Sequence, residues 1–217
     1  MTQRRGAFVT VDGPGGVGKS TLVAALADLL RSHGHQVHAT REPSTRPIGV
    51  FTRAHADEIG GHALACLVAA DRYDHLDHEV RPRLAVGETV VCDRYLASTL
   101  VVQRLDDVPE PFLLALNDGI TLPDLAVILT AESDVIRERL AKRGAHHRFE
   151  RDPAIPAREL ALYEQAAETL RGMNVPVLVL DTGTATPSEG AAQIVSSLVR
   201  HPGNVGPSDP DTLTVTR

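Results

Sequence analysis

Ala7-Phe8-Val9-Thr10-Val11-Asp12-Gly13-Pro14-Gly15-Gly16-Val17-Gly18-Lys19-Ser20-Thr21 runs from a short apolar, β-branched segment through a glycine-rich turn into a helical pattern. Residues 7–11 predict a buried strand. Residues 20–32 predict a helix, with Leu22, Leu26, Leu29 and Leu30 on one face and Gly34 closing it. Between them, residues 13–20 match the pattern G-x-x-x-x-G-K-[ST] in the strand-to-helix setting the pattern requires. Gly13, Gly15, Gly16, Val17, Gly18, Lys19, Ser20 and Thr21 then form a phosphate-binding loop. Its backbone N–H groups and the positive end of the following helix face an anion. Lys19 is placed to reach the β- and γ-phosphates of a nucleotide, and the Ser20 hydroxyl to ligate Mg²⁺. Such loops serve GTPases, ATPases and kinases alike, so this motif establishes a nucleotide site and not yet a reaction.

Outward from this unit, further short apolar runs stand at 37–39, 89–92, 125–130 and 175–180. Helical patterns are read at 62–85, 132–142, 157–171 and 188–199. Five strands alternating with helices predict an α/β fold, a five-stranded parallel sheet covered by helices on both faces. The chain has 217 residues, 42% hydrophobic and 23% charged, which suits one domain over residues 1–200. After Pro202 small and polar residues dominate, and 201–217 reads as a disordered tail. A formal charge of −6 argues against a nucleic-acid partner. Cys66 and Cys92 lie far apart in apolar stretches and read as two buried free thiols. No apolar run spans a membrane and no signal pattern opens the chain, so a cytoplasmic location is expected.

Five further fragments make residues 8–199 resemble the thymidylate kinase family of nucleoside monophosphate kinases. Thr40-Arg41-Glu42-Pro43 is similar to its T-R-E-P segment, with Pro47-Ile48-Gly49 beyond. Ala69-Ala70-Asp71-Arg72 with His75 resembles A-A-D-R-x-x-H, continued by Arg81-Pro82. Asp93-Arg94-Tyr95 with Ser98 and Gln103 resembles D-R-Y-x-x-S-x-x-x-x-Q, and Pro123-Asp124-Leu125 resembles P-D-L. His147-Arg148-Phe149-Glu150 stands where the family lid carries D-R-I-E, which places a lid at about 143–153.

The resemblance implies a short helical lid and a homodimer. It also implies that lid arginines, Arg148 first and Arg143 next, meet the charge of the transferring phosphoryl group, because the phosphate loop itself has no arginine. Asp93, at the end of a predicted strand, is read as orienting Mg²⁺ or the acceptor, or else as capping the next helix. By the same resemblance Arg41 and Arg94 clamp the acceptor's monophosphate and Arg72 faces its base. An arginine only donates, which suits a carbonyl such as thymine O4. The alternative for each of these arginines is a structural ion pair. Arg137 and Arg139 read as a solvated helix face. Asp71, Asp74, His75, Asp77 and His78 have helical spacings that could suggest a metal site, but read as a solvated face with one family-type histidine.

Several positions depart from the family pattern. Asp12, counted with Ser98 and Gln103 among the acceptor contacts, replaces Glu, and Gly15 replaces an acid. Val68 replaces a phenylalanine that stacks on the base, and Val102 replaces an aromatic wall near the sugar. Arg46 replaces a threonine and adds a positive charge. Phe51 and Tyr95 are the aromatics nearest to substitute for the lost stack. The expected function is ATP-dependent phosphorylation of a nucleoside 5′-monophosphate with dTMP as default acceptor. Two alternatives stand beside it, a relative acting on a modified or bulkier nucleotide and an ATPase or switch without an acceptor.

Overall fold

The computed structural model describes residues 5–143 and 155–200. Five strands, β1 (Phe8–Asp12), β2 (Val37–Arg41), β3 (Thr89–Asp93), β4 (Leu125–Thr130) and β5 (Val177–Asp181), pair in parallel in the order β2-β3-β1-β4-β5. In the three central strands neighbouring residues face opposite sides, and both sides are covered. Phe8, Val90, Cys92, Ala126 and Ile128 point into one core, and Val9, Val11, Val91, Val127 and Leu129 into the other. This two-sided burial produces the unbroken apolar runs in the sequence. The edge strands β2 and β5 are only partly covered, and Val179 is half exposed.

Helix α1 (Lys19–Ser32) and α9 (Pro187–Arg200) pack on the second core, with α7 (Ser133–Arg143) alongside. The first core is roofed by α3 (Gly61–His75), α4 (Arg81–Ala85), α5 (Leu96–Leu105), α6 (Glu110–Leu116) and α8 (Ile155–Gly172). Helix α2 (Pro47–His55) leans on α3. Three helices, α2, α5 and α6, had no counterpart among the patterns singled out in the sequence. α5 is buried along most of its length, and α2 and α6 span only nine and seven residues, too few for a helical period to stand out from the sequence.

The helix expected over 62–85 is instead α3, a wider π turn at Leu76–Val80, and α4. Arg81 N–H bonds the Leu76 carbonyl five residues back. Pro82 explains this: it has no N–H, and in an α-helix its ring would collide with the carbonyl four residues earlier. Cys92 is buried as expected, whereas Cys66 is exposed, because it sits on the outer face of α3. The expected lid residues 144–153 and the tail 201–217 lie outside the described residues.

Because all five strands run the same way, their carboxyl ends share one rim. Asp12, Arg41, Asp93 and Asp181 end there and hand the chain to the loops. Opposite that rim α2 is docked through Gly49, where an added Cβ would lie 2.4 Å from the Ser44 carbonyl oxygen and 2.6 Å from Asp71 Oδ1. Asp71 is itself fixed, accepting Ser44 N–H and Ser44 Oγ–H, each at 2.6 Å. Backbone cannot yield as a flexible side chain can. Gly49→Ala is therefore expected to lower stability by about 1–3 kcal/mol, read as a lower urea midpoint at unchanged slope. An unchanged midpoint would show that α2 is not held in this way.

Candidate active site

The turn after β1 closes on Lys19. Its ammonium is 7% exposed and donates to the Gly13 and Pro14 carbonyls at 2.9 and 2.7 Å, so the loop wraps round its own lysine. Gly18 stands at the N-cap of α1 with φ 103°, a left-handed geometry that disfavours side chains. No side chain caps this helix and no acid lies in its first turn. The free N–H groups of that turn therefore point at the rim as an anion site. Burial pulls the Lys19 pKa down to about 7, the Arg94 charge adds to this, and Asp93, Glu159 and Asp12 oppose it.

Ser20 Oγ donates to Asp93 Oδ2 at 2.6 Å, while Asp93 Oδ1 is buried without a hydrogen-bond partner among the described residues. A hydroxyl and a carboxylate with an uncommitted oxygen are hard donors of the kind Mg²⁺ takes, so these two residues fit that ion. The helix cap considered for Asp93 is supplied by a different acid. Asp12 Oδ1 accepts Tyr95 N–H at 2.8 Å and Ser98 N–H at 2.9 Å, holding the start of α5 against β1. Its burial pushes the carboxyl pKa up. Asp12 is fully buried and does not line the cleft described next, so the structure gives it a structural contact where the sequence reading counted it among the acceptor contacts.

A cleft of about 1090 Å³ runs along the rim. Lys19, Arg41, Arg53, Arg72, Arg94 and Arg139 line it, against Glu42, Asp57 and Asp93. A chain of net charge −6 thus concentrates positive charge in one concave place, which focuses the field on an anion. Arg94 adopts φ 74°, which turns it from the end of β3 toward the cleft beside Asp93. Arg41 is exposed on the same wall. Arg53, on the last turn of α2, donates to the Pro43 carbonyl. Burial and the Arg41 charge push its pKa down. Arg53 was not singled out in the sequence because nothing local distinguishes it from any basic helix end.

Val68, Val102, Ser98 and Gln103 all line the far end of the cleft. Ser98 Oγ also pairs with Tyr163 Oη at 3.2 Å. Arg72 lies there too, but as a tightly bound ion-pair residue, the alternative kept open for it. It is 1% exposed, donates Nε–H to Glu42 Oε2 at 2.8 Å, Nη2–H to Thr99 Oγ1 at 2.8 Å and Nη1–H to Asn117 Oδ1 at 2.5 Å, has Nη2 in ion-pair contact with Glu42 Oε2 at 2.7 Å, and lies over the Tyr95 ring. Three of its five N–H donors are used in these hydrogen bonds, and one of those left is on Nη1.

Other expectations are corrected. Arg46 adds no free charge, since it is paired with Asp74 through Nε at 2.5 Å and Nη2 at 3.1 Å. Asp71 and His75 are buried, while Asp77 and His78 are exposed, so the polar run on this helix is not one solvated face. Phe51 is exposed, stacks on His55 and does not line the cleft. Tyr95 does line it, with its ring edge-to-face on Phe8 and its hydroxyl donated to the Thr121 carbonyl.

At the opposite end Leu180, Thr182, Thr186 and Pro187 form the wall. Arg139 belongs to this wall and not to a solvated face. Its Nη2 donates to the Thr182 carbonyl at 2.9 Å and its Nη1 to the Val17 carbonyl at 3.3 Å, joining α7 to the phosphate loop. Thr182 Oγ1 also donates to Val17 at 2.7 Å. Thr182 follows the end of β5, and its position at a strand terminus was the one sequence signal available for it. Arg137 pairs with Asp134 on the surface as expected. Arg148 lies outside the described residues, and Arg143 closes α7 with its side chain undescribed.

The family model described as Thymidylate kinase matches residues 11–173. A probable thymidylate kinase of Caldivirga maquilingensis is 36% identical over 175 residues, covering 79% of this chain and 84% of that protein. A thymidylate kinase of Caulobacter vibrioides is 37% identical over 159 residues, covering 69% and 76%. One from Clavibacter sepedonicus is 37% identical over 191 residues, covering 82% and 88%. No helix among the described residues is long and apolar enough to cross a membrane. A match of this extent, on a parallel sheet whose rim carries the phosphate loop, shows that the chain is an enzyme, a phosphotransferase belonging to the thymidylate kinase family.

Proposed function

We propose that this enzyme transfers the γ-phosphoryl group of ATP to dTMP. One observation supports this above the others: a single cation-lined cleft joins the phosphate loop to a far end walled by Val68, Val102 and Gln103. A switch or ATPase needs no such second compartment. The donor base then lies against Thr182 and Thr186, and the triphosphate follows the α1 N-terminus and Lys19. Arg41, Arg53 and Arg94 hold the acceptor phosphate, and Arg72 turns a remaining N–H toward a base carbonyl. An acceptor phosphate oxygen attacks the γ-phosphorus, the bond to the bridging oxygen breaks, and ADP leaves. Ser20 and Asp93 would hold Mg²⁺, which when bound neutralises charge on the β- and γ-oxygens. Lys19 follows charge on the migrating group, and Arg94 keeps the two anions together. By the family resemblance Arg148 and Arg143 would add positive charge for the transferring group.

Lys19→Ala is expected to reduce kcat by about a thousandfold or more, since the residue stabilises developing charge. Its urea midpoint should not fall, because a buried ammonium is removed from a costly environment. Near-normal turnover in Lys19→Ala would refute the assignment.

The lowered Lys19 pKa gives a second test. Between about pH 7 and the ordinary lysine value the folded protein binds fewer protons here than the unfolded chain does, so this site alone makes stability rise with pH over that window. Anionic phosphates reverse the shift. ATP binding at pH 8.5 should therefore take up close to one proton, read from calorimetry in buffers of different ionisation enthalpy. Lys19→Arg, permanently charged, should take up none. Equal uptake by both proteins would contradict the buried-lysine account.

A specific observation also favours a roomier acceptor. Val68 and Val102 are half-buried walls where the family pattern has aromatics, and Phe51 faces away from the cleft. A missing base stack is worth about 1–3 kcal/mol. Val68→Phe should raise kcat/KM for dTMP by about tenfold and lower it for bulkier pyrimidine nucleotides. If dTMP is already strongly preferred and Val68→Phe weakens its use, the pocket is closed by another group.

A further inference from the structure

Behind Arg72 lies a buried polar chain that the phosphoryl-transfer chemistry leaves unexplained. His75 is 0% exposed, one turn after Arg72 on α3. Its Nε2 is 2.9 Å from Thr40 Oγ1, and its Nδ1 is 3.3 Å from Glu42 Oε1. The single hydroxyl proton of Thr40 is given to Glu79 Oε1 at 2.6 Å, so Thr40 can only accept from His75. A carboxylate oxygen likewise only accepts. Both ring nitrogens therefore face acceptors, and the arrangement is satisfied only by the doubly protonated imidazolium.

Glu42 divides its carboxylate between two partners. Oε2 accepts Nε–H of Arg72, with Nη2 in ion-pair contact, and Oε1 receives His75. Holding Oε1 fixes the rotation of the carboxylate and hence the plane of the guanidinium. Asn117 fixes the other side, because its Nδ2 donates to the Leu113 carbonyl and leaves Oδ1 turned to Arg72. We propose that the His75 imidazolium is a positioning residue for the phosphoryl acceptor. By holding Glu42 Oε1 it keeps Arg72 aimed at the acceptor end of the cleft, so acceptor affinity falls when His75 gives up its proton. The inference rests on the acceptor reading of that end.

The groups facing His75 favour its charged form. Burial opposes its charge, but Glu42, Glu79 and Asp71 outweigh burial and raise its pKa. Arg72 is on its own helix and is bound to Glu42. Behind Glu42 stand Cys92 and Tyr95, both pushed up by burial and so neutral. Asp12 acts on Arg72 from β1, and His38 bonds Glu79 from the outside at 2.8 Å. When the pH rises through the His75 value, one ring nitrogen turns a lone pair toward an acceptor. The longer contact, to Glu42, is the one to break.

The test is the KM for dTMP at saturating ATP, measured from pH 6 to 9 with the ATP KM on the same samples. Ionisation of dTMP itself cancels between enzymes. Wild type should show an acceptor KM that climbs about tenfold toward alkaline pH at nearly constant kcat. His75→Gln, which offers Glu42 or Thr40 one N–H but cannot titrate, should hold the high value at every pH. Glu79→Gln is partly exposed and leaves the ring in place; its lost charge should move the climb to lower pH. A His75→Gln enzyme with wild-type KM and profile would overturn the inference, as would a fall in kcat with KM unchanged. Should His75→Gln not fold, an unmoved profile in Glu79→Gln overturns it instead. Wild type that turns over no dTMP at any pH defeats the acceptor reading itself, and the inference with it.

Discussion

Lys19 and Arg72 are both less than a tenth exposed, and housing two buried basic groups constrains much of the architecture around them. An isolated buried charge is costly, so each must be met by dipoles or counter-charges at hydrogen-bond distance. Lys19 is met by two carbonyls of its own loop, which closes the turn after β1. Arg72 is met by Glu42, Thr99 and Asn117, delivered by the end of β2, by α5 and by the end of α6. The parallel order of the sheet lets these segments meet, because every strand ends on the same rim.

The two cations are held differently, and the difference suits their proposed tasks. Carbonyl oxygens around Lys19 carry only partial charge, so a phosphate can replace them with little competition. The Glu42 carboxylate at Arg72 is a full charge in a low-dielectric place, which favours a fixed guanidinium with N–H donors to spare. A mobile cation suits charge that moves during reaction, and a fixed one suits recognition of a ligand edge.

Acids are placed as selectively as bases. Asp12 and Asp93 end neighbouring strands one register apart, yet one holds the start of α5 and the other faces the Ser20 hydroxyl. The pleat separates them, since successive strand residues alternate in direction. Along α3 the same logic of faces buries Asp71, Arg72 and His75 and leaves Asp77 and His78 in water, the π turn before Pro82 changing the phase between them.

Local chemistry alone determined the phosphate loop, the strand runs and the alternation of strands with helices. Apolar runs, a glycine-rich turn and a helix start are properties of neighbouring residues and stay legible without a structure. Val68, Val102, Ser98 and Gln103 were singled out through the family resemblance, and all four line the cleft. Tertiary structure decided what depends on residues distant in sequence. Arg72 and Glu42 are 30 positions apart, Arg72 and Asn117 are 45, and Arg139 reaches Val17 across 122. No pattern in one segment reveals whether an arginine meets water, a carboxylate or a loop carbonyl. For that reason Arg139 and His75 looked like surface, Arg46 looked free, and Asp12 looked like a ligand contact. Partner identity across the sheet sets burial, and burial sets which charges are structural and which remain available to a substrate.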